Sequence, residues 1–279
     1  MKIKKAVITA AGLDQRHLPL QTLVTPSGET KSVMSLILDE IFSTEIESVA
    51  IIITPESQRD FIVAVDKHLD RVTFIEQEKP LGYGHAVLQA KAFVEKEPFL
   101  LMMSDHLYLS QSEIPWLKSL LSVAEQTGCP VSAVQATHES KLPYYGAVAG
   151  KRINGKADLY EISAALEKPT PTLAEQELIV PGLRSGHYLC FFGMHILNDS
   201  VMKHLEKSLE DSPDKLPLTP SINATAKSER FLACEIQGLR FNIGEPYGLL
   251  RAQLAMALAS DQRDEVMSSI IELISSTKS

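Results

Sequence analysis

Ala6-Val-Ile-Thr-Ala-Ala-Gly-Leu-Asp-Gln-Arg16 is an apolar run that passes into small residues and then into an arginine. Lys5–Thr9 has the length and β-branched content of a buried strand. Ala10, Ala11 and Gly12 then offer main-chain N–H and C=O groups with almost no side-chain bulk, so a flat ligand such as a nucleobase can lie against the backbone. Arg16 adds a planar, permanently charged fork suited to phosphate oxygens. After Lys5 the next lysine is Lys31, so the loop carries one fixed cation where a triphosphate would need more.

Strand and helix signals alternate beyond this loop. Residues 32–43 read as a helix, 48–54 as a strand, 55–68 as a helix, 72–76 as a strand and 84–93 as a helix. Residues 98–104 then read as a strand, 116–126 as a helix and 131–135 as a strand. Continuous apolar strands joined by helical crossovers predict a parallel sheet covered on both faces. Ligands of such sheets bind at the carboxyl ends of the strands, here residues 10–16, 77–84 and 104–106. Short strands and turn signals between residues 146 and 192 predict a mixed or antiparallel extension. Residues 211–220 form a proline-punctuated loop, and 246–259 and 261–275 read as two terminal helices. The expected fold class is α/β: a single domain over 1–279, with a mainly parallel central sheet flanked by helices and a C-terminal helical extension.

With 279 residues, 44% of them hydrophobic, the chain can bury a large core. A net charge of −8 without any run of Lys or Arg argues against nucleic acid or a membrane as partner and favours a small molecule. Cys129, Cys190 and Cys234 are far apart and lack metal-type spacing, which predicts reduced thiols and a cytoplasmic location. The charged N-terminus and its apolar run superficially resemble a secretion signal, but Gly12, Asp14 and Arg16 break the pattern, and a first strand is expected instead. A dinucleotide-binding dehydrogenase is disfavoured, because the loop lacks the second and third glycines and no acidic residue ends the second strand.

Five segments carry a family resemblance. In order they are residues 5–13, Gln77-Glu-Lys-Pro-Leu-Gly-Tyr-Gly-His-Ala86, Glu167-Lys-Pro169, Gly186-His-Tyr188 and Phe241-Asn-Ile-Gly-Glu-Pro-Tyr-Gly-Leu-Leu-Arg-Ala252. Together they resemble the sugar-1-phosphate nucleotidyltransferases, most of all the bacterial UTP:glucose-1-phosphate uridylyltransferases. The resemblance implies the Rossmann-like nucleotide-diphospho-sugar transferase fold, with a nucleotide half over 1–135, a sugar half over 136–245 and terminal helices over 246–279. It implies UTP, a sugar 1-phosphate or a nucleotide sugar as ligand, Mg²⁺ as cofactor, and leaves homo-oligomerisation open. Ala10, Ala11, Gly12, Gln77 and Gly82 would then hold the nucleotide, and Gly146, Glu167 and Gly186 the sugar. Arg16, Asp105 and Lys168 would be catalytic, with Asp105 and Asn242 at the metal.

Departures from the family pattern fall on one side of the reaction. Asp14 replaces the second loop glycine, Gln15 replaces a threonine, residues 20–30 hold no lysine, and Asn242 stands where a second metal carboxylate belongs. Losing one preorganised charge at such a site costs about 10²- to 10³-fold in rate. Two functions therefore stay open: a working transferase, or an impaired homologue that binds nucleotide sugar as a regulator or partner subunit. Individual residues also keep plainer alternatives. Gly12, Gly82 and Gly84 can serve turns, Asp105 can cap a helix, and Glu167-Lys168 can be a solvated pair. His85 reads as a structural hydrogen-bonding residue, and His106 and His187 as incidental or functional in equal measure.

Overall fold

The computed structural model describes residues 1–12, 17–110 and 115–276. β1 (Lys5–Thr9) is followed by a hairpin of β2 (Thr22–Val24) and β3 (Thr30–Ser32), then by α1 (Val33–Phe42). The Ser32 hydroxyl caps α1 by accepting the Ser35 N–H at 2.9 Å. Next come β4 (Ser48–Ile53), α2 (Gln58–Val65), β5 (Val72–Glu76), α3 (Tyr83–Gln89), α4 (Lys91–Val94), β6 (Phe99–Met103), β7 (His106–Ser110) and α5 (Trp116–Thr127). Gly128 ends α5 in the left-handed conformation, φ +69°, as a glycine C-cap does. The second half runs through β8 (Val131–His138), β9 (Ala147–Arg152), β10 (Leu159–Leu166), α6 (Pro171–Glu177), β11 (His187–Leu197), α7 (Asp199–Asp211) and α8 (Thr219–Ser228). It closes with β12 (Leu232–Glu235), β13 (Gly238–Asn242), α9 (Gly248–Leu258) and α10 (Arg263–Ser276).

Nine strands make the main sheet, in the order β5-β4-β1-β6-β11-β8-β12-β10-β9. The first four are mutually parallel, as their continuous apolar runs predict. Side chains alternate across them: Ala6 and Ile8 join a core with Ile37, Leu38 and Leu120 on one face, while Val7 joins Val87, Val201 and Leu205 on the other. Beyond β6 the pairing changes. β11 lies antiparallel to both β6 and β8, β8 is parallel to β12, and β10 is antiparallel to β12 and β9. β9 also returns to pair with β11 at Leu189 and Cys190, so the last five strands curl. Parallel pairing thus dominates only the first half, because parallel neighbours need long crossovers. The β9–β10 connection is a tight turn with Gly155 at φ +77°, which forces antiparallel pairing.

Two elements escape periodicity because each is too short to show it. The β2–β3 hairpin is one, and the pairing of β7 with β13, distant in sequence, is the other. The helix expected over 55–68 is interrupted, since Asp66 adopts φ +51° and ends α2. Among the described residues no helix is long and apolar enough to cross a membrane.

Backbone close approach holds the site region together. Leu216 N–H donates to Leu81 O at 2.7 Å and His85 N–H donates to Leu216 O at 3.2 Å, so the loop after α7 is tied to the turn before α3. A Cβ on Gly248 would stand 1.9 Å from the Asn242 carbonyl oxygen, which fixes the start of α9 against the end of β13. Gly248→Ala is therefore expected to destabilise the protein by about 1–3 kcal/mol through overpacking, read as a lowered urea midpoint; an unchanged midpoint would show that α9 shifts freely.

Candidate active site

Ala10, Ala11 and Gly12 leave β1 at the carboxyl edge of the sheet, where Ala10 N–H donates to Ile52 O at 2.8 Å and Ser104 N–H donates to Thr9 O at 3.3 Å. With Gln77, Gly82, Tyr83 and Asp105 they line a cavity of about 290 Å³. A second cavity of about 280 Å³ adjoins it, lined by Gly146, Glu167, Lys168, Arg240 and Asn242 among others. Tyr83, Met103 and Asp105 belong to both and form the dividing wall.

Gln77 is 5% exposed, and its side-chain N–H donates to Nδ1 of His85 at 2.8 Å. Burial holds the His85 pKa below its usual value, which favours the uncharged ring that can accept this bond. His85 therefore positions Gln77, whose amide faces a cavity sized for a heterocycle. Gly82 has φ +116°, and a Cβ there would meet Leu216 O at 2.9 Å, so glycine is required for both conformation and space.

Asp105 caps no helix, since it leads directly into β7. Its Oδ1 accepts from His106 Nδ1 at 2.7 Å, while its Oδ2 is buried without a partner among the described residues. A buried, free carboxylate oxygen suits a hard divalent cation. Asn242 lies opposite His106 in the β7–β13 ladder, but its Oδ1 accepts the Gly244 N–H at 2.9 Å and so has a local structural partner. Among the described residues no group of three His, Cys, Asp or Glu converges to hold a metal.

On the other side of the wall, Glu167 accepts the Thr219 hydroxyl, and Gly146 lies so close that its Cβ would come within 3.1 Å of Glu167 Oε2. Lys168 adopts φ +46° immediately before Pro169, a conformation unfavourable for a residue that precedes proline. It forms no ion pair among the described residues.

One expectation needs correction. Gly186 lines neither cavity; it turns the chain into β11 with φ +71°, its carbonyl accepting the Glu139 N–H at 2.9 Å. Gly193 lines the second cavity instead, at a bulge in β11 where φ is +95° and a Cβ would meet Tyr108 Oη at 2.8 Å. An isolated glycine inside an apolar strand was its signal. Lys31 does not fill the place of the missing loop lysine, because it pairs with Asp39 at 2.9 Å and Glu29 at 3.1 Å beside another cavity. Arg16, with Asp14 and Gln15, lies outside the described residues. Sequence reading also missed Arg240, which stands 4.0 Å from the Tyr145 ring and donates to Phe191 O at 2.7 Å.

Comparison with known proteins matches residues 5–257 to the family model described as Nucleotidyl transferase. The chain is 30% identical to the UTP--glucose-1-phosphate uridylyltransferase of Streptococcus pneumoniae, over 98% of this chain and 96% of that protein. The chain belongs to the nucleotidyl transferase family. A Streptococcus pyogenes protein named UTP--glucose-1-phosphate uridylyltransferase 2 is also 30% identical, with 98% and 96% of the two chains covered. Among solved structures, a UTP-bound UGPase from Acinetobacter baumannii aligns with a TM-score of 0.73 at 23% identity, covering 97% of this chain and 99% of the other. A UDP-glucose pyrophosphorylase complexed with UDP-glucose aligns equally well, TM-score 0.73 at 21% identity, over 91% and 98%. These likenesses establish the nucleotidyl transferase fold for this chain.

The second cavity of this nucleotidyl transferase also touches a neutral histidine. His195 is fully enclosed, its Nδ1 is 2.8 Å from the Ser132 hydroxyl, and burial pushes its pKa down to about 3. The unfolded chain binds a proton at His195 below pH 6.5 that the folded chain refuses, so stability falls as pH drops from 6.5 toward 3. Between pH 7 and pH 5 this group alone is expected to lower stability by about 2 kcal/mol. Urea unfolding at both pH values checks it: His195→Gln should flatten the difference, and an equal pH dependence in the variant would refute it.

Proposed function

We propose that this chain catalyses uridylyl transfer between UTP and glucose 1-phosphate, forming UDP-glucose and pyrophosphate with Mg²⁺. The observation that carries this function is the shared wall: a cavity for a flat base and a cavity with sugar-type polar groups meet at Asp105, where a diphosphate would span them. In this assignment 1–135 is the nucleotide half and 136–245 the sugar half. Ala10, Ala11, Gly12 and Gly82 receive base and ribose through the backbone, and the Gln77 amide pairs with the uracil edge. Glu167 and the backbone at Gly146 hold sugar hydroxyls, and Lys168 holds the sugar phosphate. An oxygen of that phosphate attacks the α-phosphorus in line, and the bond to the pyrophosphate oxygen breaks. Asp105 Oδ2 would hold Mg²⁺, which when bound neutralises phosphate charge.

A second function, binding without appreciable turnover, has its own observation. Among the described residues no lysine or arginine lines the first cavity, whereas Lys168 and Arg240 line the second. A triphosphate there would meet no Lys or Arg of the described residues, and the Asn242 oxygen already has a partner. The expected results are that UDP-glucose raises the melting temperature more than UTP does, and that pyrophosphate is released from UTP only when glucose 1-phosphate is present. Asp105→Asn should lower that release by at least about 10²-fold. Stabilisation by UDP-glucose without any release would establish the binding function, and absence of both would overturn the site.

A further inference from the structure

Two buried polar atoms in the wall between the cavities, Tyr83 Oη and Asp105 Oδ2, have no partner among the described residues, and neither has His106 Nε2 beside the second cavity. Leaving such an atom unpaired costs about 1–3 kcal/mol, so protein interiors rarely keep one. Here a donor and an acceptor occupy the same wall, and they do not bond to each other. The Asp105 oxygen is accounted for by the cation of the proposed function. The Tyr83 hydroxyl is not.

We infer that the Tyr83 hydroxyl donates a hydrogen bond to a phosphate oxygen of the bound nucleotide sugar, an inference that rests on the proposed function. Position selects the phosphate. Tyr83 lines the base-type cavity, the sugar-type cavity and a third, outer cavity of about 800 Å³ that reaches Lys168. In a nucleotide sugar, the only segment lying between base and sugar hexose apart from ribose is the diphosphate. Chemistry selects it as well. Burial first, then the Asp105 charge, raise the phenol pKa far above its usual range, and the Thr9 side chain opposes this without a hydrogen bond of normal geometry. Tyr83 is then a neutral donor at every physiological pH. A neutral donor can stand beside the Asp105 carboxylate and still receive an anion, and it adds to a wall whose loop has lost cationic groups. Tyr83 is held rigidly for this task, because Gly82 and Gly84 on either side pack against Leu216, whose carbonyl oxygen lies 2.9 and 2.8 Å from where their Cβ atoms would stand.

Tyr83→Phe tests this in the full chain, because it keeps the ring and removes only the hydroxyl. Binding of UDP-glucose, UDP and uridine is measured by calorimetry and ligand-observed NMR with EDTA present, so that no effect travels through a cation. The variant is expected to bind UDP-glucose and UDP about tenfold more weakly, the worth of one hydrogen bond to a charged group, and uridine within twofold of wild type. Its melting temperature without ligand should change little, since the contact with the Thr9 side chain falls short of normal hydrogen-bond geometry. Unchanged UDP-glucose affinity overturns the inference, as does an equal loss for uridine, which would mark a base contact. A lowered melting temperature with unchanged ratios among the three ligands also overturns it, in favour of a structural role. If wild type binds none of the three, the proposed function falls first and this inference with it; wild-type binding with an unaffected variant leaves that function standing.

Discussion

The antiparallel ladder between β6 and the end of β11 joins everything in the site. It pairs Met194 with Met102 and Leu197 with Phe99, at the centre of the sheet, where both strands are fully buried. Through it the curled second half is fastened to the four parallel strands with its own residues already at their carboxyl edge. The bulge at Gly193 makes this workable. Below it β11 runs with β6 and β8, and above it with β8 and β9, so one strand serves both halves. A side chain at residue 193 would press on Tyr108 and unsettle both ladders.

Around that ladder the site is assembled by backbone approach more than by side-chain pairing. Gly82 and Gly84 let the turn before α3 sit against Leu216, and Gly248 lets α9 begin against Asn242. These contacts leave the cavity walls rigid without filling them. The strained backbone at Lys168 belongs to the same pattern, because an unfavourable φ ahead of proline persists only where surrounding contacts hold it. The lysine is thereby presented beside Glu167, whose carboxylate is itself fixed by Thr219.

Charge is distributed unevenly over this frame. The second cavity has Lys168 and Arg240, with Arg240 stacked on Tyr145 and Phe192 so that its position does not depend on a counter-ion. The first has polar backbone and the Gln77–His85 pair, and no Lys or Arg among the described residues. Lys31 is drawn off by Asp39, whose pKa is lowered to about 2 despite the opposing effect of burial by hydrogen bonds from Lys31, Lys67 and His68. That cluster steadies α1 and the helical turn after α2, and holds Lys31 beside a different cavity.

Local sequence determined the parallel strands, the helices that cover them, the proline-rich loop and the terminal helices. Apolar runs and helical periods express burial residue by residue, so they can be read without knowing the partner. The sequence also pointed to the Gln77–Ala86 block, Asp105 and Glu167-Lys168, each at the end of an element with a clear period, and Gln77, Asp105, Glu167 and Lys168 do line the two cavities. Tertiary structure alone decided that β7 pairs with β13 across more than a hundred residues, bringing Asn242 opposite His106 and the free Asp105 oxygen into a wall between two cavities. It alone put Gly193 rather than Gly186 at the wall of the second cavity, set Arg240 beside it, and paired Lys31 with Asp39 and Glu29. Those outcomes depend on which atoms meet across long sequence separations, and a pairing of that kind leaves no period in the chain.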